Sequence, residues 1–181
     1  MGSLGCQVAE EIGKCLGYRV VWREVINEAA SRAGVPEVAL ATIDELDLLG
    51  LRPSQEDRQA YHDAVREIMK ELAQAGNIVI VGRAGQVILK DFKQTVHVRI
   101  FAPMELRVER IASEYQISQD AAKTRIEMSD QARTRYLKRF YQSKWDDPDL
   151  YDVIVNTARV TPSAAATMIC QLVKETASVP R

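Results

Sequence analysis

Short β-branched runs alternate with stretches of helical periodicity along the whole chain. This alternation predicts an α/β protein built on an open parallel sheet with helices on both faces. Two further observations point the same way. The strongest strand-like run, Asn77-Ile78-Val79-Ile80-Val81, is apolar almost throughout, the pattern of a central parallel strand buried on both faces. The 181 residues are 46% hydrophobic and 27% charged, which suits one domain with a sizeable core and excludes a largely disordered chain. No internal repeat, linker or composition break divides the pattern, so residues 1–181 read as a single domain.

The elements follow in order. Val8, Ile12 and Leu16, with Ala9 and Cys15 beside them, recur at helical spacing, and Gly17 is a C-terminal stop. Tyr18 to Trp22 reads as a short strand, Glu24 to Ala33 as a helix ended by Gly34-Val35-Pro36, and Glu37 to Leu49 as another closed by Gly50. Ser54 with Asp57 three residues on forms a capping-box arrangement at the head of a long helix. Its apolar face runs through Tyr61, Val65, Ile68 and Leu72, and Gly76 ends it. The Asn77–Val81 strand turns through Gly82-Arg83-Ala84-Gly85 into a short helix toward Leu89. Val96 to Phe101 is the next strand, and Pro103 starts a helix containing Leu106, Val108 and Ile111. Ser118 caps a helical stretch expected to reach Phe140 with a break. Tyr151 to Val155 is the last strand, and Thr161-Pro162 opens a helix with core positions Ala165, Met168, Ile169 and Leu172.

Composition narrows the function classes. The net charge is −1 and the isoelectric point near 6.2, so no overall electrostatic attraction to nucleic acid or to a membrane surface exists. No apolar run approaches the roughly 20 residues of a membrane span, and the N-terminus lacks a signal-peptide core, so the expectation is a cytoplasmic protein. Cys6, Cys15 and Cys170 are too few and too scattered for a disulfide framework, and none forms a CxxC pair. With only His62 and His97 besides, no metal site is expected. Cys6 reads as a small buried hydrophobe, His62 as part of a helix and His97 as part of a strand.

Charge is balanced overall but not locally. Between Lys123 and Lys144 seven basic residues face only Glu127 and Asp130, whereas Glu37 to Asp57 carries six acids against Arg52. A basic run is usually a solvated helix face. Its company here argues for more: Arg83 directly follows a strand, where open α/β sheets bind ligands, and guanidinium forks match phosphate oxygens. Gly2-Ser3-Leu4-Gly5 precedes the first helix, and glycines there let backbone N–H groups converge on an anion at a helix N-terminus.

Taken together these pieces resemble the cytidylate-kinase-like family of P-loop proteins. The matching stretches are GSLGCQVAEEIGKCLGY, WREVINEAASRAGVPE, NIVIVGRAG, RIFAPMELRVERI, the Asp130-x-x-Arg133-x-x-Tyr136 segment and KWDDPDLYDVIVNTARV, in the family's order over nearly the whole chain. The resemblance implies a three-layer α/β/α P-loop kinase-like parallel sheet with a helical lid. It also implies transfer of the γ-phosphoryl group of ATP to a small nucleotide or nucleoside, with Mg2+ held mainly by phosphates.

Residue by residue, Gly2, Ser3 and Gly5 would cradle the donor's phosphates. Arg83 falls on the arginine of a Gly-Arg-Asp motif that holds the acceptor's phosphate in cytidylate kinases. Arg107 and Arg110 match the arginines that open the lid, and Asp130 and Arg133 match a pair that contacts the pyrimidine nucleotide. On that pattern Arg110 and Arg133 are the candidate catalytic groups, while Arg83, Arg107 and Asp130 bind substrate. The partner is a small-molecule nucleotide, with no nucleic acid and no membrane; the resemblance fixes no oligomeric state.

The chain departs from the family at three places. Gly5 stands where a Walker A lysine would be, Ala84 replaces the acid of Gly-Arg-Asp, and Trp22 stands where many relatives have Asp. Family members also begin with an apolar strand before the phosphate loop, so the expectation is that the native reading frame starts upstream of Met1. Without that strand, two half-sheets with unpaired edges are expected. Two readings stay open: a nucleotide kinase, and a catalytically impaired nucleotide-binding relative acting as a sensor or partner protein. A nucleic-acid-binding protein that uses the basic helix is disfavoured by the near-neutral charge.

Overall fold

A computed structural model describes residues 1–34 and 55–178. The predicted helix Glu37–Leu49 and the Ser54 cap lie outside the described residues. The order is α1 (Gly5–Leu16), β1 (Arg19–Val21), α2 (Arg23–Ala33), α3 (Gln55–Ala75), β2 (Ile78–Ile80), the single turn α4 (Gly85–Ile88), β3 (Val98–Phe101), α5 (Met104–Tyr115), α6 (Gln119–Tyr141), a 3₁₀ turn (Pro148–Leu150), β4 (Val153–Asn156) and α7 (Pro162–Ser178). Mixed α/β character with parallel strands is therefore as expected. No described helix is long and apolar enough to cross a membrane.

The sheet is split into two halves, as the sequence reading expects. Among the described residues β1 pairs in parallel with β2, in register Val20↔Val79, and β3 pairs in parallel with β4, in register Ile100↔Val155, as two separate ladders. With one edge unpaired, β2 is half-buried along its length rather than enclosed on both faces.

Side chains of β2 alternate between two clusters, as the twofold period of a strand requires. Ile78 and Ile80 join Val21, Val25, Tyr61, Val65 and Ile68. Val79 joins Val8, Ile12, Val155, Ala165 and Ile169, together with Val98 and Ile100 of β3. The two strand pairs are thus tied through α1, which packs against β1, β2, β3 and α7. A third cluster of Val108, Ile111, Ala122 and Ile126 locks α5 onto α6.

Local chemistry sets the helix ends. Ser118 accepts a bond from Ala121 N at 3.2 Å and starts α6, which then runs without the expected break. Thr161 does the same for α7, accepting from Ala164 N at 3.2 Å. Ala165 and Ile169 of α7 are buried as predicted, but Met168 is 56% exposed, since the apolar stripe of this helix is narrower than its composition suggests.

Gly13 lets α1 lie close on β1. A Cβ there would stand 2.5 Å from Val20 Cγ2 and 3.0 Å from the Tyr18 carbonyl oxygen. Gly13→Ala should therefore destabilise the fold by about 2 kcal/mol despite alanine's better helix propensity. A thermal melt should show a Tm lowered by roughly 4–8 °C.

Candidate functional site

The first residues of the chain lie where β3 and β4 end. Thr157, buried just after β4, donates its hydroxyl to the Ser3 carbonyl at 3.0 Å, and its N–H bonds the Phe101 carbonyl at the end of β3. Gly2 has φ +73°, and a Cβ on it would come within 2.9 Å of the Arg107 carbonyl oxygen, so only glycine fits this approach to α5. Leu4 takes up left-handed φ 61° as the N-cap of α1 and offers no side-chain cap. The first-turn amides of α1, at Gly5 and beyond, therefore point out from the helix start without a side-chain acceptor.

Two arginines of α5 close on this loop. Arg110 donates to the Gly2 carbonyl at 3.0 Å and, through both terminal nitrogens, to the Thr157 hydroxyl at 3.1 Å and carbonyl at 2.9 Å. Arg107, 8% exposed, donates Nε to the Met1 carbonyl at 2.7 Å and forks onto Asp130 at 2.7 and 2.8 Å. Burial alone would raise the Asp130 carboxyl, but the bonds and charge of Arg107 and the charge of Arg133 outweigh it and hold the group below its ordinary range.

Arg133 reaches the same carboxylate at 3.2 Å while 42% exposed, and its guanidinium lies 5.2 Å from the centre of the Trp145 ring. Arg99, at mid-strand in β3, lies 4.6 Å from the same ring. Arg99 also donates to the Asp146 carbonyl at 3.1 Å, while its buried Nε has no partner in the structure.

Arg83 lies beside a different stretch of α6, near Tyr136. It follows β2 inside a run of three left-handed residues, Gly82 (φ 79°), Arg83 (φ 53°) and Ala84 (φ 57°). For Arg83 and Ala84, with side chains, this conformation is strained. Burial pushes the Arg83 guanidinium below its usual range, and the Tyr136 phenol opposes that shift. Tyr136 is held protonated by burial above all, and its hydroxyl lies 3.5 Å from His62 Nδ1. His62 is fully buried in α3 and stacks on Phe140 with ring centres 3.6 Å apart.

One face of α6 thus connects the predicted residues in turn: Asp130 with Arg107, then Arg133, then Tyr136 beside Arg83. Gly2, Ser3, Arg107, Arg110, Asp130 and Arg133 come together around the loop, and Gly5 opens α1 beside it. Lys123, Arg125, Arg135, Lys138, Arg139 and Lys144 stay on the exposed face of α6 and beyond it. Sequence reasoning missed Arg99, Trp145 and Thr157. The available signal was a lone arginine inside the apolar strand Val98–Phe101.

Cys6 is exposed rather than buried, since it sits on the first turn of α1, and its thiol is raised by partial burial and by Glu10. That makes it a poor nucleophile. Among the described residues no group of three or more His, Cys, Asp or Glu side chains could hold a metal ion.

The fold is thus of the mixed α/β class, with arginines gathered over a glycine-containing helix start at the carboxyl ends of parallel strands. The chain belongs to the cytidylate kinase-like family, whose description matches residues 1–159.

A cytidylate kinase of Methanocaldococcus jannaschii is 31% identical over 117 residues, covering 63% of this chain and 65% of that protein. A uronate isomerase of Corynebacterium glutamicum is 24% identical over 139 residues, covering 77% of this chain but only 26% of that protein. The chain therefore spans about a quarter of one relative and just under two thirds of the other. The crystal structure of an uncharacterized protein from Eubacterium ventriosum ATCC 27560 superposes with a TM-score of 0.75 at 19% identity, over 96% of this chain and 92% of that one, and shares the fold.

Proposed function

We propose that the protein is a P-loop phosphotransferase that moves the γ-phosphoryl group of ATP to a small nucleotide or nucleoside. The observation that carries this reading is the convergence of Arg107, Arg110 and Arg133 on the loop at the N-terminus of α1. Phosphoryl transfer asks little covalent chemistry of a protein and much positioning and charge neutralisation. ATP, when bound, would supply the transferred group, and magnesium would help neutralise its charge, held mainly by the phosphates rather than by side chains of this chain.

The chain's own part is as follows. Amides at Gly2, Ser3 and Gly5 and the first turn of α1 receive the donor phosphates at the positive end of the helix dipole. Arg110 and Arg133 neutralise charge on the equatorial oxygens. Arg83 holds the acceptor's phosphate from the end of β2. Asp130, kept ionised, fixes Arg107 and Arg133 and contacts the acceptor.

A second reading, a nucleotide-binding relative without turnover, is favoured by Gly5 in the place of the Walker A lysine and by the Ala84 methyl in the place of an acid. A coupled assay with ATP against CMP, dCMP and other acceptors, run beside a thermal-shift panel of the same nucleotides, separates the two. Turnover with CMP or dCMP supports the kinase; a Tm rise with ATP or CMP and no product supports the binder; neither effect overturns both.

A further inference from the structure

We propose that Cys15 and Cys170 are a redox-responsive pair whose oxidation to a disulfide staples α1 to α7. The spacing of 155 residues hides the pair in the sequence, but α1 packs along α7, Val8, Ile12 and Cys15 share one face of α1 at helical spacing, and Cys170 of α7 is buried in the cluster that holds Val8 and Ile12. Cys170 is buried in the middle of α7 against Val8, Ile12 and Leu16 of α1, and Cys15 is exposed on the last turn of α1. One sulfur is therefore open to an oxidant and the other waits behind it, the arrangement of an attacking and a resolving cysteine. Burial, with the Cys15 contact behind it, pushes the Cys170 thiol up to about 11, which suits the second role and not the first.

The co-reactant is a small-molecule disulfide. The Cys15 thiolate attacks one of its sulfurs, forming a mixed disulfide and expelling one thiolate. Cys170 then attacks the Cys15 sulfur, gives up its proton to solvent and expels the second thiol. Two thiols and one small disulfide become one protein disulfide and two small thiols, and the two electrons pass from the protein sulfurs to the oxidant. Cys6 takes no part. It lies nine residues before Cys15 on the same helix, about 13 Å away along the axis, too far to bridge. Closing a loop that encloses most of the chain constrains the unfolded state strongly, so the bond raises Tm. It also bolts α1, the helix that carries the Gly2–Gly5 loop, to its neighbour.

The test is to incubate the full chain with oxidised glutathione, block the remaining thiols with iodoacetamide, and map non-reduced peptides by mass. The expected result is a linked Cys15–Cys170 peptide lighter by two hydrogens, a Tm raised by about 5 °C or more, and reversal of both by dithiothreitol. Cys15→Ser, a change at an exposed site, and Cys170→Ala should each abolish the linked peptide and the Tm shift, and Cys6→Ser should leave both intact. A stable glutathione adduct on Cys15 with Cys170 still alkylated, an intermolecular disulfide in place of the internal one, or no modification at all would overturn the proposal. None of these readouts depends on phosphoryl transfer.

Discussion

Asp130→Asn is expected to lower Tm by roughly 6–12 °C, and Arg107→Met by a similar amount. The Arg107 side chain is 10% exposed and that of Asp130 20%, and the two share a bidentate pair at 2.7 and 2.8 Å. Removing one member leaves the other desolvated and uncompensated, which costs about 3 kcal/mol, and each kcal/mol moves the Tm of a chain this size by about 2–4 °C. Arg133→Met is the control. It removes an arginine from the same carboxylate, but one 42% exposed, so its effect on stability should stay below about 1 kcal/mol. Arg107→Met also releases the Met1 carbonyl from Nε, so it should loosen the loop ahead of α1 and weaken any nucleotide-induced Tm shift. A drop of less than about 2 °C for both Asp130→Asn and Arg107→Met would show that the pair contributes no net stability.

The same pair sets a pH dependence with a definite sign. The Asp130 carboxyl is depressed in the folded state, so its contribution is present above its unfolded value of about 3.9 and is lost as pH falls through the folded value. The Tm difference between the wild type and Asp130→Asn should therefore hold steady above about pH 5 and shrink as the pH is lowered toward 3. A gap that widens on acidification would contradict the ion pair.

What was legible in the sequence divides along a physical line. Helices built on 3.6-residue periodicity read well because that signal is local: Val8 and Ile12 of α1, and Tyr61, Val65 and Ile68 of α3, are all buried where the spacing puts them. Strand positions read to within two residues at either end. The split into two parallel half-sheets was expected as well, but which strand pairs with which was not, because the ladders join residues as far apart as Arg19 and Ile78.

The candidate site shows the same division. Arg107 and Asp130 were legible as charged residues worth attention, but not as partners, since their contact joins separate helices, α5 and α6. Cys15 and Cys170 were dismissed on spacing for the same reason. The expected break in α6 is absent: the helix runs on from Gln119 to Tyr141, held by Ala122 and Ile126 packed on α5 and by Asp130 paired with Arg107.

Arg83→Met is expected to lower kcat/KM for phosphoryl transfer by about 100–1,000-fold, the cost of removing one preorganised donor from a charge-stabilising site. The argument starts from the backbone. Left-handed conformations at two consecutive residues with side chains, Arg83 and Ala84, cost roughly 1–2 kcal/mol each and persist only where the surrounding structure holds them. Here they turn the chain sharply off β2 so that a half-buried guanidinium stands at the strand's carboxyl end, beside Tyr136 of α6. Partial desolvation disfavours the charged form of the Arg83 guanidinium. The carboxyl end of a parallel strand is also where open α/β sheets bind their ligands. Arg83→Lys keeps the charge but loses the planar fork, so it should recover only part of the lost activity, with the remaining defect appearing mainly in KM for the acceptor. The stability readout separates this from a structural role: Arg83→Met should shift Tm by less than about 3 °C, far less than Arg107→Met, while abolishing the Tm rise on adding a nucleoside monophosphate. Activity retained within about threefold of wild type, or a Tm loss as large as that of Arg107→Met, would assign Arg83 to the scaffold rather than to the acceptor's phosphate.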